Sequence, residues 1–190
     1  MMRNIAIFGA MYSGKTTLAA ALTELGYVKV SFADPLRNVA ALAYGNIDKS
    51  KIYTVSHYGD PDEDISGREI LQRIGEGVKQ IDRDFWLKCF LRDSQRYLDQ
   101  QIVLDDGRFL FELEALKNNG FVTIGVDTPE EIRLSRAMII NGRYPTYVEM
   151  NHISEIEIPF IMRKVDIVVD GQGDIYREVG RIVEAARSSS

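Results

Sequence analysis

Short apolar runs alternate along this chain with longer amphipathic stretches, the pattern of a parallel sheet wrapped by helices. Residues 4–8 contain Ile5-Ala6-Ile7-Phe8, apolar on both faces, as a strand buried on both sides requires. Residues 15–25 read as a helix ending near Gly26, Val28 to Phe32 as a second strand, and 35–44 as a helix halted at Gly45. The stretch 46–67 is polar and rich in turn formers; it reads as a surface excursion in which Ile52, Tyr53, Val55 and Tyr58 dock. Two helices are expected over 68–80 and 83–98, with Asp82 or Asp84 capping the second. Gln101 to Leu104 is a third strand, and 109–119 a helix closed by Asn118-Asn119-Gly120. Phe121 to Val126 is a fourth strand. At Thr128-Pro129-Glu130-Glu131 a helix opens, with Thr128 as cap, Pro129 in the first turn and two acids at the positive dipole end, and it runs to about Ile140. Residues 141–153 read as irregular, Val165 to Val169 as a fifth strand, 174–187 as the last helix, and Ser188–Ser190 as a frayed tail. The expected fold is α/β: a five-stranded parallel sheet flanked by helices.

Composition narrows the class. The chain has 190 residues, enough for one well-filled core, and nothing in it approaches the apolar length of a membrane span. The N-terminus enters a strand directly, so no leader is expected, and a single cysteine, Cys89, fits a reducing compartment and a place in the core. His57 and His152 lack metal-ligand spacing. The net charge of −5 excludes a broad electrostatic footprint for nucleic acid, so any anionic ligand must be met by local cationic clusters.

The strongest motif is Gly9-Ala-Met-Tyr-Ser-Gly14-Lys15-Thr16, which follows a strand and opens a helix. This is the complete P-loop pattern in its proper context. The glycines let backbone N–H groups turn inward on phosphate oxygens, and the helix N-terminus adds its positive end. Lys15 reaches the β- and γ-phosphates, and the Thr16 hydroxyl suits Mg²⁺. The expected ATP-binding set is Gly9, Ser13, Gly14, Lys15, Thr16 and Thr17, joined by Arg133. The loop fixes a ligand and not a reaction. The Asn-Lys-x-Asp of a guanine site is missing, since Lys117-Asn118-Asn119-Gly120 has no aspartate, and the chain is short for a motor.

Further constellations supply a second substrate. Asp34 in "SFADPL" follows the second strand at the edge where open α/β sheets bind ligands; it either orients an acceptor or caps a helix ahead of Pro35. Arg68 opens a helix and is able to grip a phosphate with its planar fork. "IVLDDGRF" ends a strand in Asp105-Asp106 and adds Arg108: a carboxylate for the metal shell and a cation for a substrate phosphate or base. Arg133 and Arg136 share a helix face and, with Arg143, suit a lid that neutralises a phosphoryl group in transfer and excludes water.

Together "GAMYSGKTT", "SFADPLRNVAALAYG", "GREILQRIGEGVKQIDRDFW", "VLDDGRFLFELEALKNNG" and "HISEIE…VDIVVDGQGD" resemble the phage-type deoxynucleoside monophosphate kinases of the P-loop nucleoside monophosphate kinase superfamily, in the family's order over most of the chain. The resemblance implies a three-layer P-loop fold in one domain, residues 1–190, with an acceptor-binding region over about 34–86 and a lid over about 133–152. It implies transfer of the γ-phosphoryl of ATP to a 5′-dNMP, with Mg²⁺, in the cytoplasm (of a host, if phage-encoded). Lys15, Asp34, Arg68 and Arg136 would be catalytic, and Asp34, Arg37, Arg68, Arg108 and Arg143 would hold the acceptor. Thr16 and Asp106 would serve the metal, with Asp105 as the competing carboxylate, and Asp170-Gly171 would lie against the adenine. The family often has Asn-Asp-Gly there, where this chain has Val169-Asp170-Gly171. No nucleic-acid polymer or membrane is implied as a partner, and a homodimer is compatible with the family. Phosphomevalonate and dephospho-CoA kinases share parts of the pattern and are the alternatives within the fold. A regulatory protein that binds ATP without transferring it is the alternative outside catalysis, and the arginines beyond the P-loop weigh against it.

Overall fold

The computed structural model describes residues 2–56, 58–59, 61–97 and 99–187; Met1, His57, Asp60, Leu98 and the Ser188–Ser190 tail lie outside them. In chain order the elements begin with β1 (Ile5–Phe8), α1 (Lys15–Glu24), β2 (Val28–Val30) and α2 (Ala33–Tyr44). Then come β3 (Ile52–Val55), β4 (Glu63–Ser66), α3 (Gly67–Ile81) and α4 (Phe85–Ser94), extended by a tighter turn over Gln95–Tyr97. They continue with β5 (Ile102–Leu104), α5 (Leu110–Asn118), β6 (Val122–Asp127) and α6 (Glu130–Asn141). The chain closes with α7 (Tyr147–Met150), α8 (Ile153–Ile156), α9 (Ile158–Met162), β7 (Ile167–Asp170) and α10 (Ile175–Ala186). The described chain divides into two compact units, residues 1–31 with 97–190, and residues 32–96.

The first unit is built on a five-stranded sheet of order β2-β5-β1-β6-β7, every neighbour parallel. The continuous apolar run of β1 puts it at the centre, where Ile5 aligns with Val103 of β5 and Val122 of β6 and no residue of the strand meets solvent. Leu18 and Leu22 of α1 and Val179 and Ile182 of α10 close over Ile5, Ile7 and Ile124, while α5 and α9 pack on one another and on the sheet. Each such fully buried aliphatic side chain contributes about 1.5–3 kcal/mol relative to exposure. β1 and β6, the strands on either side of the sheet's change of order, deliver their C-terminal ends side by side, with Phe8 aligned to Gly125. The position of this sheet edge is therefore set by the hydrophobic pattern.

The second unit packs α2, α3 and α4 together, with the antiparallel hairpin β3-β4 leading into α3. Trp86 is buried and its Nε1 donates to Gly75 O at 3.1 Å, while the Phe32 and Phe90 rings sit 4.7 Å apart. Ser66 Oγ caps α3 by accepting from Glu69 N, and Arg73 forks onto Glu63 and Glu69, tying β4 to the helix.

Three local readings differ from expectation. The excursion 46–67 contains the hairpin, in which Ile52 and Tyr58 are exposed rather than docked. Residues 141–153 are not irregular throughout: Thr146 and Glu149 cap one another across α7, and His152 opens α8. Thr128 does not cap α6. Its hydroxyl donates instead to Ser13 O at 2.8 Å, 115 positions away, and Pro129 takes the cap position. Among the described residues no helix is long and apolar enough to cross a membrane.

Candidate functional site

The loop between β1 and α1 turns on two glycines and one strained residue. At Gly9 (φ 152°) a Cβ would lie 2.7 Å from Ser13 Oγ and 2.8 Å from Val126 O, so only glycine lets the loop cross β6 this closely. Among the described residues Tyr12 is the one non-glycine with positive φ, 60°. Its hydroxyl accepts from Asn141 Nδ2 at the end of α6, and its carbonyl accepts from Arg136 Nη1 at 3.2 Å, which hold the residue in that conformation. Ser13 Oγ is buried and has no hydrogen-bond partner.

A cleft of about 460 Å³ opens beside the loop. Its walls include Ser13, Gly14, Lys15, Thr16 and Thr17 together with Arg136, Asp170, Gly171 and Ile175. Arg136 stitches these walls together. Nη1 donates to Ser13 O at 3.0 Å and Nη2 to Gly171 O at 2.7 Å. Gly171 N in turn donates to Asp127 O at 2.7 Å, and a Cβ at Gly171 would come within 1.9 Å of Thr128 Oγ1. Asp170 accepts from Gln172 N at 2.8 Å and shapes the turn. Glu178, a buried carboxylate paired with Arg181, also lines the cleft.

Lys15 Nζ donates to Gly9 O and Ala10 O, both at 2.7 Å, across the mouth of the loop. Burial pushes its pKa down to about 8, and the Arg108 guanidinium adds to that, while the Glu155 and Asp105 carboxylates oppose it. Arg133 donates from Nε to Thr128 O at 3.2 Å and from Nη1 toward Met11 O at 3.5 Å. A second cavity of about 220 Å³ adjoins the loop's first half, lined by Ala10, Met11, Tyr12, Arg133 and Glu155 among others.

The two adjacent aspartates at the end of β5 have different partners. Asp105 is buried and paired with Lys29 at 2.7 Å, while Asp106 accepts from Ser31 Oγ. Glu112 Oε2 accepts from Arg108 N at 2.7 Å and Phe109 N at 3.0 Å, and burial raises its pKa to about 7. Arg143 forks onto Glu149 with both contacts at 2.8 Å.

Of the residues singled out in the sequence, the first unit brings Gly9, Ser13, Gly14, Lys15, Thr16, Thr17, Arg133, Arg136, Asp170 and Gly171 around one loop. Asp106 and Arg108 lie on the β5–α5 loop of the same unit, and Arg143 stays at the start of the 143–150 segment with Glu149. Asp34, Arg37 and Arg68 belong to the second unit. There Asp34 accepts from Arg37 Nη1 at 3.0 Å in the first turns of α2, and Arg68 is exposed at the start of α3.

Three participants escaped the sequence reading, Asn141, Glu178 and Glu155, and a fourth, Thr128, was read only as a helix cap. Both Glu155 oxygens accept from Met11 N, at 3.1 and 3.2 Å, and two residues on, Glu157 accepts from Leu110 N at 2.7 Å. The segment through α8 thus braces both the phosphate loop and the start of α5. The only sequence signal was the place of Glu155 and Glu157 inside "HISEIE".

For a divalent cation the first unit offers the Thr16 hydroxyl in the cleft wall and the Asp105 and Asp106 carboxylates on the β5–α5 loop. These are hard oxygens of the kind Mg²⁺ accepts alongside substrate phosphates and water. Among the described residues no group of three or more His, Cys, Asp or Glu is placed to hold a metal.

No family model matches the chain. It is 24% identical over 180 residues to a protein of Acanthamoeba polyphaga mimivirus called "Putative deoxynucleotide monophosphate kinase", covering 84% of this chain and 88% of that one. In structure it is similar to a shikimate kinase from Aquifex aeolicus (TM-score 0.61, 19% identity, 96% of this chain and 95% of the other). It is also similar to a dephospho-CoA kinase from Campylobacter jejuni (TM-score 0.55, 16% identity, 97% and 96%). At such identities the likeness establishes the fold alone, a five-stranded parallel sheet flanked by helices.

Proposed function

We propose that this chain transfers the γ-phosphoryl group of ATP to the phosphate of a 5′-deoxynucleoside monophosphate, giving a dNDP and ADP. The observation that carries the reading is the convergence of Lys15, Arg133 and Arg136 on one strained phosphate loop that borders a nucleotide-sized cleft. Three cations there exceed what holding a diphosphate requires, and they suit the charge spread over a phosphoryl group in flight. The mimivirus relative's name supports the deoxynucleotide acceptor.

In this reading Gly9, Ser13, Gly14, Lys15, Thr16 and Thr17 hold the donor phosphates, with Asp170 and Gly171 beside the base. Arg133 and Arg136 orient the transferred group. Thr16 and Asp106 would serve Mg²⁺, with Asp105 paired to Lys29 and Asp106 also bonded to Ser31. The cation would supply charge neutralisation on the phosphates. Arg37, Arg68, Arg108 and Arg143, with Asp34, bind the acceptor, and the 32–96 unit carries the acceptor specificity. A phosphate acceptor is ionised at neutral pH and needs cations more than a general base.

An ADP-release assay over the four dNMPs, shikimate, dephospho-CoA and phosphomevalonate tests this. Turnover is expected with at least one dNMP and is lost in Lys15→Ala. Arg68→Ala is expected to raise the acceptor KM about tenfold or more while kcat changes by less than about threefold. An unchanged KM shows that the acceptor phosphate is held elsewhere. Turnover with none of these acceptors, despite ATP binding, rejects the kinase. Turnover with dephospho-CoA or shikimate alone transfers the role of Asp34 to that of a general base on a hydroxyl.

A further inference from the structure

Glu155 stands where an anion-binding loop has least use for a carboxylate. Both its oxygens bracket the N–H of Met11, the third residue of the loop. That N–H belongs to the row of backbone donors which such a loop turns toward phosphate oxygens. Met11 is absent from the walls of the large cleft, where Asp170 and Gly171 lie beside the base in the proposed reading. It lines the smaller cavity instead, together with Glu155 and Arg133. Lys15, the group that reaches the β- and γ-phosphates, spans the interval: it lines the large cleft and bonds Ala10 O, next to Met11. On the proposed reading the phosphates run from Gly171 past Lys15 toward Met11, whose N–H Glu155 holds.

We infer that Glu155 is a built-in anion at the terminal-phosphate position of the loop, which a nucleoside triphosphate must displace and a nucleoside diphosphate need not. The inference rests on the reading of 9–16 as an ATP site. Its consequence is a bias in product handling. After transfer the donor has lost its terminal group, and the carboxylate returns to Met11 N without opposing the ADP that remains. The carboxylate thus narrows the advantage of ATP over ADP in ground-state binding and favours completion of the cycle over idle retention of the triphosphate.

The test is a pair of dissociation constants, for Mg²⁺-ATP and Mg²⁺-ADP, by calorimetry on the full chain. Glu155→Gln keeps an acceptor for Met11 N and removes the charge. It should bind ATP about five- to tenfold more tightly, the scale of one nearby like charge at a half-buried site, while ADP changes by less than about twofold. Glu130→Gln, whose carboxylate borders the same cavity but faces Arg133, should leave the ATP-to-ADP ratio where it was. A measurement on the unmutated protein needs no variant to fold: the ¹⁵N resonance of the Met11 amide should move on adding ATP and stay nearly in place with ADP. Equal changes for both nucleotides in Glu155→Gln, or weaker binding of both, make Glu155 a plain brace and overturn the inference. If ATP does not bind the unmutated protein at all, the ATP-site reading fails, and the inference with it.

Discussion

Gly171 shows how a single missing methyl group holds the candidate site together. A Cβ there would overlap Thr128 Oγ1 at 1.9 Å and Ser13 O at 2.5 Å, and neither neighbour has room to retreat, since the Thr128 hydroxyl is itself bonded to Ser13 O. Gly171→Ala must push the β7 loop away from the phosphate loop and loosen the Arg136 bridge to Gly171 O. We expect a loss of about 1–3 kcal/mol in chemical denaturation, as overpacked sites show, and a weaker ATP affinity by titration; a variant as stable and as tight as the parent contradicts the packing. At this scale the legibility of the sequence is uneven. Lys15 and Thr16 were readable because their partners are local and their spacing is a motif. Glu155 was not, because its partner Met11 lies 144 positions away and nothing in a run of helix-forming residues distinguishes a loop brace from a solvated acid. The positive φ of Tyr12 was not legible either, because the Asn141 contact that holds it exists only in three dimensions.

Elements were legible in proportion to how much of their stability comes from their own pattern. β1, α1, β6 and α10 follow from continuous or helical apolar periodicity, and their ends fall within about two residues of expectation, the scatter that boundary definitions themselves carry. The β3-β4 hairpin was missed because its strands are four residues each and only Ile65 of them is buried, so no alternation stood out among the charges. α7 was missed because reciprocal capping by Thr146 and Glu149 holds it, rather than an apolar face.

Capping also carries an expectation for α3. Ser66→Ala removes the acceptor for Glu69 N and should cost about 1 kcal/mol. The emission of Trp86, the sole tryptophan, reports the unfolding of that same unit. At α5 the expectation concerns pH. Burial raises the Glu112 pKa from 4.5 to about 7, so the folded chain binds the proton more tightly than the unfolded chain. The stability this supplies is complete below about pH 4.5 and is lost as pH rises through about 7. Relative to Glu112→Gln, the unmutated protein should therefore lose roughly 2 kcal/mol between pH 5 and pH 8 in paired denaturation curves. Parallel pH profiles for the two would show that Glu112 does not retain its proton.

For the molecule as a whole, charge and topology answer different halves of one question. The parallel sheet of order β2-β5-β1-β6-β7 brings the 9–16, 127–128 and 170–174 loops to one edge, where the proposed reading places the anion. The net charge of −5 limits what kind of anion it is. A polymer is gripped by many phosphates at once and rewards a cationic surface, whereas one nucleotide is gripped by a few buried donors and tolerates an acidic exterior. Lys15, Arg133 and Arg136 lie partly buried at the loop, while Lys79, Lys88, Lys164 and Arg73 on the surface are each paired with a carboxylate. Binding of labelled single- and double-stranded DNA, followed by fluorescence anisotropy, should therefore be undetectable at about 150 mM salt, where counterion release no longer favours weak electrostatic association. ATP should still bind there, and its affinity should fall by less than about tenfold between 50 and 200 mM salt, in contrast to the thousandfold or greater losses of proteins that make many phosphate contacts. A steep salt dependence for ATP, or DNA retained at that ionic strength, would mean that the surface charge and not the buried loop selects the ligand.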